Sequence, residues 1–535
     1  MSALRAITPA RPTVEPRQTL PEPSTIVELQ SELERVVTGE VRFDAGSRAM
    51  YSVDSSNYRQ VPIGVVVPRS IEDVINTVAA SRKFRVPLLS RGGGTSLAGQ
   101  CCNTAVVIDW SKYLGQILNI DPVRKQATVL PGCILDNLRN AAGKYGLTFG
   151  PDPATHDHCT LGGMLGNNSC GMHAQMAGSV ASNSEALEVL LYDGTRMTLG
   201  WTTGEEMQAN AAKGGRVGGI YKSLLALRDK YEKQIRARYP NIPRRISGYN
   251  LDQLIPDDHG RINLARAVVG SEGTLVTILS ATLRLVHNPP FQTLVVLGYP
   301  DVYQAGDHIP EILESKPMGL EGIDYFLIEN MKKKGLHVND LSSLPDGKGW
   351  LLVQLPGDTL EEADGKAREL MERLKAKPNP PTMKLYDNPE EEKHVWDVRE
   401  SGLGATAFVP GLPASWPGWE DAAVAPDKVG PYLRDFCKLL EKHGYVAALY
   451  GHFGMGCIHC RITFDVVTPE GIRNYRSFAE EAADLVVSYG GSLSGEHGDG
   501  QSRAELLPKM FGDEIVQAFR EYKSIWDPDW KMNPG

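Results

Sequence analysis

Two glycine-dense segments constrain this chain more than any other feature: Arg91-Gly92-Gly93-Gly94-Thr95-Ser96-Leu97-Ala98-Gly99, and Leu161-Gly162-Gly163-Met164-Leu165-Gly166-Asn167-Asn168-Ser169-Cys170-Gly171. Glycine tolerates positive φ, so such segments let several backbone N–H groups converge on phosphate oxygens. Thr95 and Ser96 add hydroxyl donors. Taken singly, each segment reads equally well as a tight structural turn. As a pair they read as a clamp that holds one pyrophosphate from opposite sides. Neither is a Walker A loop, because no Gly-Lys-Ser/Thr follows. Neither is a Rossmann fingerprint, because no plain helix and no acidic residue follow at the usual distance.

The flanks of the first segment describe a small α/β unit. Residues 64–68 read as a buried strand. Ser70 reads as the N-cap of a helix over 71–81, with Glu72 and Asp73 in its acidic first turn. Residues 86–89 and 105–109 are further strands. Residues 126–130 and 186–191 continue the β-rich pattern, and Asp193-Gly194 reads as a hairpin turn. A second region opens near Pro289-Pro290. It carries strands at 293–299 and 350–355, a helix over 301–315 and a charged amphipathic helix over 361–375. That order predicts an antiparallel sheet with helices on one face, a separate cap-like domain. The overall class is α+β.

A chain of 535 residues exceeds one core, since domains run to roughly 100–200 residues. The expected division is a disordered, proline-bearing leader (1–25), a nucleotide-side domain (26–288), a cap or substrate domain (289–490) and a C-terminal segment (491–535) that returns to the first domain. Lys plus Arg is 56 and Asp plus Glu is 65, a net charge of −9. This balance argues against nucleic-acid binding through bulk charge. No apolar run reaches the roughly 18–20 residues of a spanning helix. The eight cysteines are scattered rather than framed for disulfides, which suits a reducing cytoplasm. The single Cys457–Cys460 pair cannot supply four ligands to zinc or to an iron–sulfur cluster.

Two C-terminal segments carry chemistry: 451–459, Gly-His-Phe-Gly-Met-Gly-Cys-Ile-His, and 494–500, Ser-Gly-Glu-His-Gly-Asp-Gly. His452, His459 and Glu496 form a His₂–carboxylate set that suits a divalent Lewis acid, Zn²⁺ first with Mn²⁺ as the alternative. His497 is placed to act as a general base. A histidine in a glycine-rich loop is commonly only a polar turn residue; the clustering here weighs against that. Cys457 and Cys460 rank lower as ligands, since buried cysteines are usually inert.

The ordered series Pro68-x-Ser70-x-x-Asp73-Val74, the 91–99 segment, Pro151-Asp152-Pro153, the 160–171 segment and Gly270-Ser271-Glu272-Gly273-Thr274-Leu275 resembles the FAD domain of the vanillyl-alcohol-oxidase type. The motifs span about half of the chain and are specific as a set. The resemblance implies a two-part FAD-binding domain followed by an antiparallel-sheet cap. It implies FAD contacts from Arg91, Gly92, Gly93, Gly94, Thr95, Ser96, Gly99, Pro151, Asp152, Thr160, Gly162, Gly163, Gly166, Asn167, Asn168, Ser169, Gly171, Gly270, Glu272, Gly273 and Thr274. It also implies a 270–276 strand along the flavin and adenine side. Non-covalent FAD is the expectation; His156 and His158 lie near the second segment, but nothing assigns a covalent bond to them.

The C-terminal run 494–500, with Asp527-Pro528 and Asn533-Pro534-Gly535, resembles the FAD-linked D-lactate, glycolate and D-2-hydroxyglutarate dehydrogenases. Residues 170–178, 419–424 and 450–459 resemble the D-2-hydroxyglutarate type, in which a FAD half is fused to an iron–sulfur half. Carried over, His452, His459 and Glu496 are metal ligands, His497 the base, and Arg399 the partner of a substrate carboxylate, a role suited to a planar guanidinium. The bland alternative for Arg399 is a surface helix arginine. Met455 and Cys457 replace an Asp and an Asn that many relatives carry between the metal histidines, and Trp419 and Glu420 stand where some place a lysine.

The expected activity is FAD- and metal-dependent oxidation of a D-2-hydroxy acid to the 2-oxo acid, D-2-hydroxyglutarate ahead of D-lactate or glycolate. The alternatives are an oxidase that reduces O₂ and a flavin-binding electron-transfer subunit. The chain holds no C-x-x-C-x-x-C-x-x-x-C-P run, so the expected electron acceptor is an iron–sulfur domain or subunit, with this chain as the FAD half of a longer protein. A homo-oligomer and peripheral attachment at the inner membrane stay open.

Overall fold

Strand Gly64–Val67 is buried along its whole length and forms the centre of the first sheet. A continuous Val run is what a parallel strand covered on both faces requires. The structure, a computed structural model, describes residues 21–337, 341 and 344–534. The sheet order is Glu40–Arg42, Gly64–Val67, Val106–Asp109, Leu88–Arg91, with the last three strands parallel. Helix Ile71–Lys83 crosses over, and the Ser70 hydroxyl accepts from the Asp73 amide as its cap. The strand expected at 86–89 forms at Leu88–Arg91, so the first glycine segment leaves its carboxyl end, where open α/β sheets bind ligands.

Six antiparallel strands make the second sheet, in the order Arg261–Asn263, Arg196–Thr203, Ser184–Leu190, Thr277–Arg284, Gln126–Val129, Ile117–Asp121. Gly194, at φ 89°, turns the hairpin between Ser184–Leu190 and Arg196–Thr203. Residues 270–276, expected as a strand, are instead a turn: Gly270 and Gly273 have positive φ, and the Thr274 amide donates to the Ser271 carbonyl. The strand begins only at Thr277.

The cap is a seven-stranded antiparallel sheet, in the order Thr382–Tyr386, Phe291–Tyr299, Gly349–Gly357, Gly319–Asp324, Ala447–Gly451, Cys457–Ile462, Ala422–Ala423. Helices cover both of its faces rather than one. In strand Phe291–Tyr299, Val295 and Leu297 join one core while Leu294 and Val296 join another. A strand apolar at successive positions needs cover on both sides. The helix expected over 301–315 is two short ones, Val302–Asp307 and Ile309–Leu313, because Pro310 removes an amide and restarts the helix.

The disordered leader expected over 1–25 falls outside the described residues up to 20, and helix Pro23–Val36 begins inside it. Among the described residues no helix is long and apolar enough to cross a membrane. Helix Leu507–Trp526 packs on helix Gly215–Arg238. The chain then runs beside strand Leu88–Arg91: the Leu88 amide donates to Lys531, and the Leu88 carbonyl accepts from Asn533.

The Asn533 side chain ties three segments together. Its Nδ2 donates to the carbonyls of Gln100 and Glu272, and its Oδ1 accepts from Asn103. Asn533→Ala leaves the Gln100 and Glu272 carbonyls without this donor and leaves the Asn103 amide only the Pro534 carbonyl. The variant is expected to lose roughly 1–3 kcal/mol of stability, read as a lower denaturant midpoint with an unchanged m-value.

Candidate active site

A cavity of about 1030 Å³ runs from the glycine segments to the C-terminal histidines. That is the upper end of the roughly 300–1,000 Å³ range of small-molecule sites. Arg91 to Ser96, Asp152, Thr160, Gly162, Gly163, Gly166, Asn167, Ser169, Glu272, Gly273, Arg399, His452, His459, Glu496 and His497 all line it. Gly99, Pro151, Asn168, Gly171, Gly270 and Thr274 do not, and support the wall from behind. Gly171, at φ 108°, is the clearest case: a Cβ there would sit 2.2 Å from the Asp152 backbone.

The two glycine segments differ in kind. Among the described residues, no amide from Gly92 to Leu97 donates to a protein group, which leaves a run of free donors at the cavity wall. The second segment, expected to be a loop, is the helix Leu161–Asn167, capped by Thr160 and ended by Asn168 in the left-handed conformation. Its first amides are already used, Leu161 on Cys133, Gly162 on Pro131 and Gly163 on the Thr160 hydroxyl. Its glycines instead permit close approach. A Cβ on Gly162 would meet Pro131 at 2.5 Å, and one on Gly92 would meet the Thr160 hydroxyl at 2.0 Å. A phosphate therefore finds its donors in the 92–97 loop, with the short helix packed behind it.

Arg91 and Asp152 play other parts than contact with a cofactor through their charges. The Arg91 guanidinium donates to the carbonyls of Tyr51, Val53 and Cys101 and so braces the loop. Asp152 accepts from the His173 amide and ring, and His173 reaches on to Gln354 of the cap. The Glu272 carboxyl accepts from the amides of Asp499 and Gly500, and burial beside Asp499 pushes its pKa up to about 8.

At the other end, strand Ala447–Gly451, the turn after it and strand Cys457–Ile462 present His452 and His459, whose rings stand 5.0 Å apart. Glu496 arrives from the C-terminal segment. Its Oε1 lies 3.1 Å from Nε2 of His452, 3.1 Å from Nε2 of His459 and 3.6 Å from Nε2 of His497. Its Oε2 is held by Arg244 at 2.7 Å and by the Gly171 amide at 3.1 Å. Sequence reasoning missed Arg244, Glu321, Glu420, Asp421 and Arg503. Each is a buried charge remote in sequence from its partner, with no local motif to mark it. Glu321 accepts from His452 Nδ1 at 2.7 Å and from Arg399 at 2.6 Å. Asp421 accepts from the amides of Gly495, Glu496 and His497 and from the Ser494 hydroxyl. Both its oxygens are thus spent on shaping the turn, although it lies close to the imidazoles.

The protonation pattern fits a cation. His459 Nδ1 faces the Glu420 carbonyl at 2.9 Å, an acceptor only, so this nitrogen carries the hydrogen. Burial holds the His459 pKa below its usual value despite Glu496, so the ring is neutral near pH 7. Its Nε2 lone pair then points at a carboxylate oxygen, an acceptor against an acceptor. A cation between them turns that contact into ligation, with Nδ1 oriented by an outer partner as metal-bound histidines usually are. Cys457 and Cys460 are not part of this set: Cys460 donates to the Trp419 carbonyl, Cys457 sits against Asp421, and neither lines the cavity. Met455 packs with Cys170 and Ala174, also off the cavity.

Arg399 is no surface residue. It is buried on helix Pro389–Glu400, 5.2 Å over the Tyr450 ring. Nε and one Nη are committed to Glu321, so the other Nη is its donor toward the cavity.

The protein's own field makes His497 a proton donor rather than a base. Burial opposes its charge, but Asp421, Glu420 and Glu496 outweigh that and push its pKa up to about 10. A divalent ion on Glu496 reverses that balance. A folded-state pKa raised above the ordinary value of 6.5 contributes stability that is fully present below 6.5 and lost as pH rises through about 10. Metal-free protein is therefore expected to show a falling Tm across that window. His497→Gln or added divalent ion should flatten the profile; a metal-free wild-type profile as flat as that of His497→Gln would contradict the charge assignment.

Residues 62–200 match the FAD binding domain, and residues 288–535 match the C-terminal domain of FAD linked oxidases. The chain is 28% identical over 507 residues to a D-2-hydroxyglutarate dehydrogenase of Pseudomonas putida, which covers 93% of this chain and 50% of that protein. It is 26% identical to the glycolate oxidase subunit GlcD of Bacillus subtilis, covering 93% of this chain and 94% of that one. The chain thus spans about half the length of the D-2-hydroxyglutarate dehydrogenases it matches and nearly all of the glycolate oxidase subunit. Among solved structures, 4-ethylphenol oxidase from Gulosibacter chungangensis superposes with a TM-score of 0.67 at 14% identity, over 97% of this chain and 98% of that one. The free-amide glycine loop thus lies in the region that matches the FAD binding domain, and the antiparallel cap sheet in the region that matches the C-terminal domain of FAD linked oxidases.

Proposed function

We propose that this chain oxidises a D-2-hydroxy acid to the 2-oxo acid, with non-covalent FAD as hydride acceptor and a divalent metal, Zn²⁺ or Mn²⁺, in the His452–His459–Glu496 site. The observation that carries the reading is the convergence of Nε2 of His452 and of His459 on Glu496 Oε1, each at 3.1 Å, at the end of a cavity whose other end is the free-amide loop. D-2-hydroxyglutarate is the first candidate, supported by the run of similar dehydrogenases; D-lactate and glycolate follow from the GlcD subunit and from an Archaeoglobus fulgidus D-lactate dehydrogenase at 26% identity. An iron–sulfur domain or subunit is the proposed acceptor. The cytoplasm is the proposed location, supported by eight cysteines that are all free thiols.

Bound FAD supplies the acceptor for the substrate's hydride, and the metal supplies Lewis acidity toward its hydroxyl and carboxylate. The protein does the rest. The 92–97 amides take the pyrophosphate. The free Nη of Arg399 binds the substrate carboxylate, and Glu321 fixes Arg399 and His452 as one unit. Arg244 and the Gly171 amide keep Glu496 turned so that Oε1 faces the histidines. With a divalent ion held by His452, His459 and Glu496, the Glu496 charge would be offset, and His497 Nε2 would release its proton to solvent and be free to accept that of the substrate hydroxyl. Glu420, 3.4 Å from His497 Nδ1, stabilises the imidazolium that results. Arg503, 3.0 Å from Glu420, keeps that carboxylate charged.

The deciding experiment is anaerobic bleaching of the bound flavin by a panel of D- and L-2-hydroxy acids. D-acids should bleach it, chelation should stop the bleaching without altering the oxidised flavin spectrum, and Zn²⁺ or Mn²⁺ should restore it. Undiminished bleaching in verified metal-free protein would end the metal assignment. His497→Ala should keep its metal and lose roughly 10²–10⁴-fold in turnover.

Arg399→Ala removes a contact present in both ground and transition states, so KM should rise strongly with kcat less affected. Arg399→Lys should rescue little, since an ammonium cannot hold Glu321 and the substrate together. An unchanged KM in Arg399→Ala would leave Arg399 as only the partner of Glu321.

A further inference from the structure

A second, smaller cavity of about 260 Å³ lies in the cap between helix Tyr325–Lys334, the 406–415 segment and the ends of strands Ala447–Gly451 and Cys457–Ile462. Its polar wall has two unusual members. Arg461, half-buried, lines it with a guanidinium that bonds to no described residue and a buried Nε without an acceptor. Asn330 is only 8% exposed, lines the same cavity, and its amide also finds no partner among the described residues. A buried polar group without a partner costs about 1–3 kcal/mol, so the Arg461 Nε, with the Asn330 amide on the same cavity, marks a place for a ligand that satisfies both. The wall also carries Glu329 and Lys333, whose charges offset each other, and the hydroxyls of Thr406, Ser415 and Thr463; its apolar part is Val409, Leu412 and Pro413 on one side and Phe326, 54% exposed, at the mouth.

We propose that this cavity is a second ligand site, for a small organic monocarboxylate whose carboxylate pairs with Arg461 and Asn330 and whose apolar body lies against Phe326, Leu412 and Pro413. The charge on Arg461 calls for an anion, and its planar fork matches a carboxylate in two-point contact. The volume lies below the roughly 300 Å³ of the smallest drug-sized sites, which limits the ligand to about a dozen heavy atoms. The site adjoins the candidate active site. Arg461 and His459 project from the same face of one strand about 7 Å apart, with Tyr450, which pairs with His459 across the strands, as the neighbouring side chain. This assignment stands on the cap alone and does not depend on the proposed reaction.

The probe is 4-fluorobenzoate, followed by fluorine NMR line broadening on FAD-loaded protein, with 4-fluorobenzyl alcohol as the neutral control of similar shape. Broadening is expected for the carboxylate and not for the alcohol. It should weaken about tenfold or more in Arg461→Gln, disappear in Asn330→Leu, which fills the space, and persist in Arg399→Ala, where the main cavity has lost its own carboxylate partner. Saturation transfer from the protein's aromatic protons should drop in Phe326→Ala, an exposed position that does not test folding. No carboxylate-specific broadening in the wild-type protein, or broadening lost in Arg399→Ala but kept in Arg461→Gln, would overturn the site.

Discussion

The Glu496 carboxylate is the interaction on which the rest of the site depends. One oxygen is bound by Arg244 and the Gly171 amide, and the other is left facing two imidazoles at 3.1 Å. Breaking a buried ion pair by removing one partner typically costs about 3–5 kcal/mol, because the remaining charge stays buried alone. The arrangement is therefore self-limiting: Glu496 cannot turn away from the histidines without exposing Arg244 to the same penalty. Arg244 also donates to the Gly171 carbonyl, so the residue that aims the carboxylate also pins the segment after the Leu161–Asn167 helix.

That coupling explains why the site spans both domains. Asn167 donates to the Glu496 carbonyl and Gln100 to the His497 carbonyl, so the second glycine segment and the residue just after the first reach the 494–500 turn directly. The Gly99–Gln100 stretch is in turn held from the C-terminus through Asn533 and Gln501. On the cap side, His173 joins Asp152 to Gln354, and Glu321 joins Arg399 to His452. The cavity is a seam stitched by charged and polar groups, and the seam needs residues that are distant in sequence to arrive together.

The charges in that seam are arranged to be completed rather than closed. Glu321 and Glu420 sit well below the ordinary carboxylate range, held there by His452 and Arg399 and by Arg503 and His497 against the cost of burial. With Asp421 and Glu496 they make four buried carboxylates against Arg244, Arg399 and Arg503 and three imidazoles. In the protein alone His452 and His497 hold protons against this field, with pKa values raised by the carboxylates around them. The proposed divalent cation would supply the charge instead and free an imidazole for proton transfer.

Much of this was legible in the sequence, because local rules wrote it. The Ser70 cap, the buried Gly64–Val67 strand, the Asp193–Gly194 hairpin and the clustering of His452, His459, Glu496 and His497 each follow from neighbouring residues. What was misread shares one cause. The second glycine segment looked like a loop by composition, yet tertiary packing against Pro131 and Cys133 made it a capped helix. The cap strands looked half-exposed, yet helices from later in the chain cover both faces. Arg244, Glu321 and Arg503 left no trace, and Glu420 and Asp421 were marked only as part of the 419–424 run without a role, since a buried charge is recognised by its partner and each partner lies far away in sequence. The sequence alone determined which groups cluster in the 451–459 and 494–500 segments and which strands and turns present them. Only the tertiary structure decided which oxygen of Glu496 stays free, which nitrogen of each histidine faces it, and which charges hold them there, because those choices are made by contacts between residues that the chain itself keeps apart.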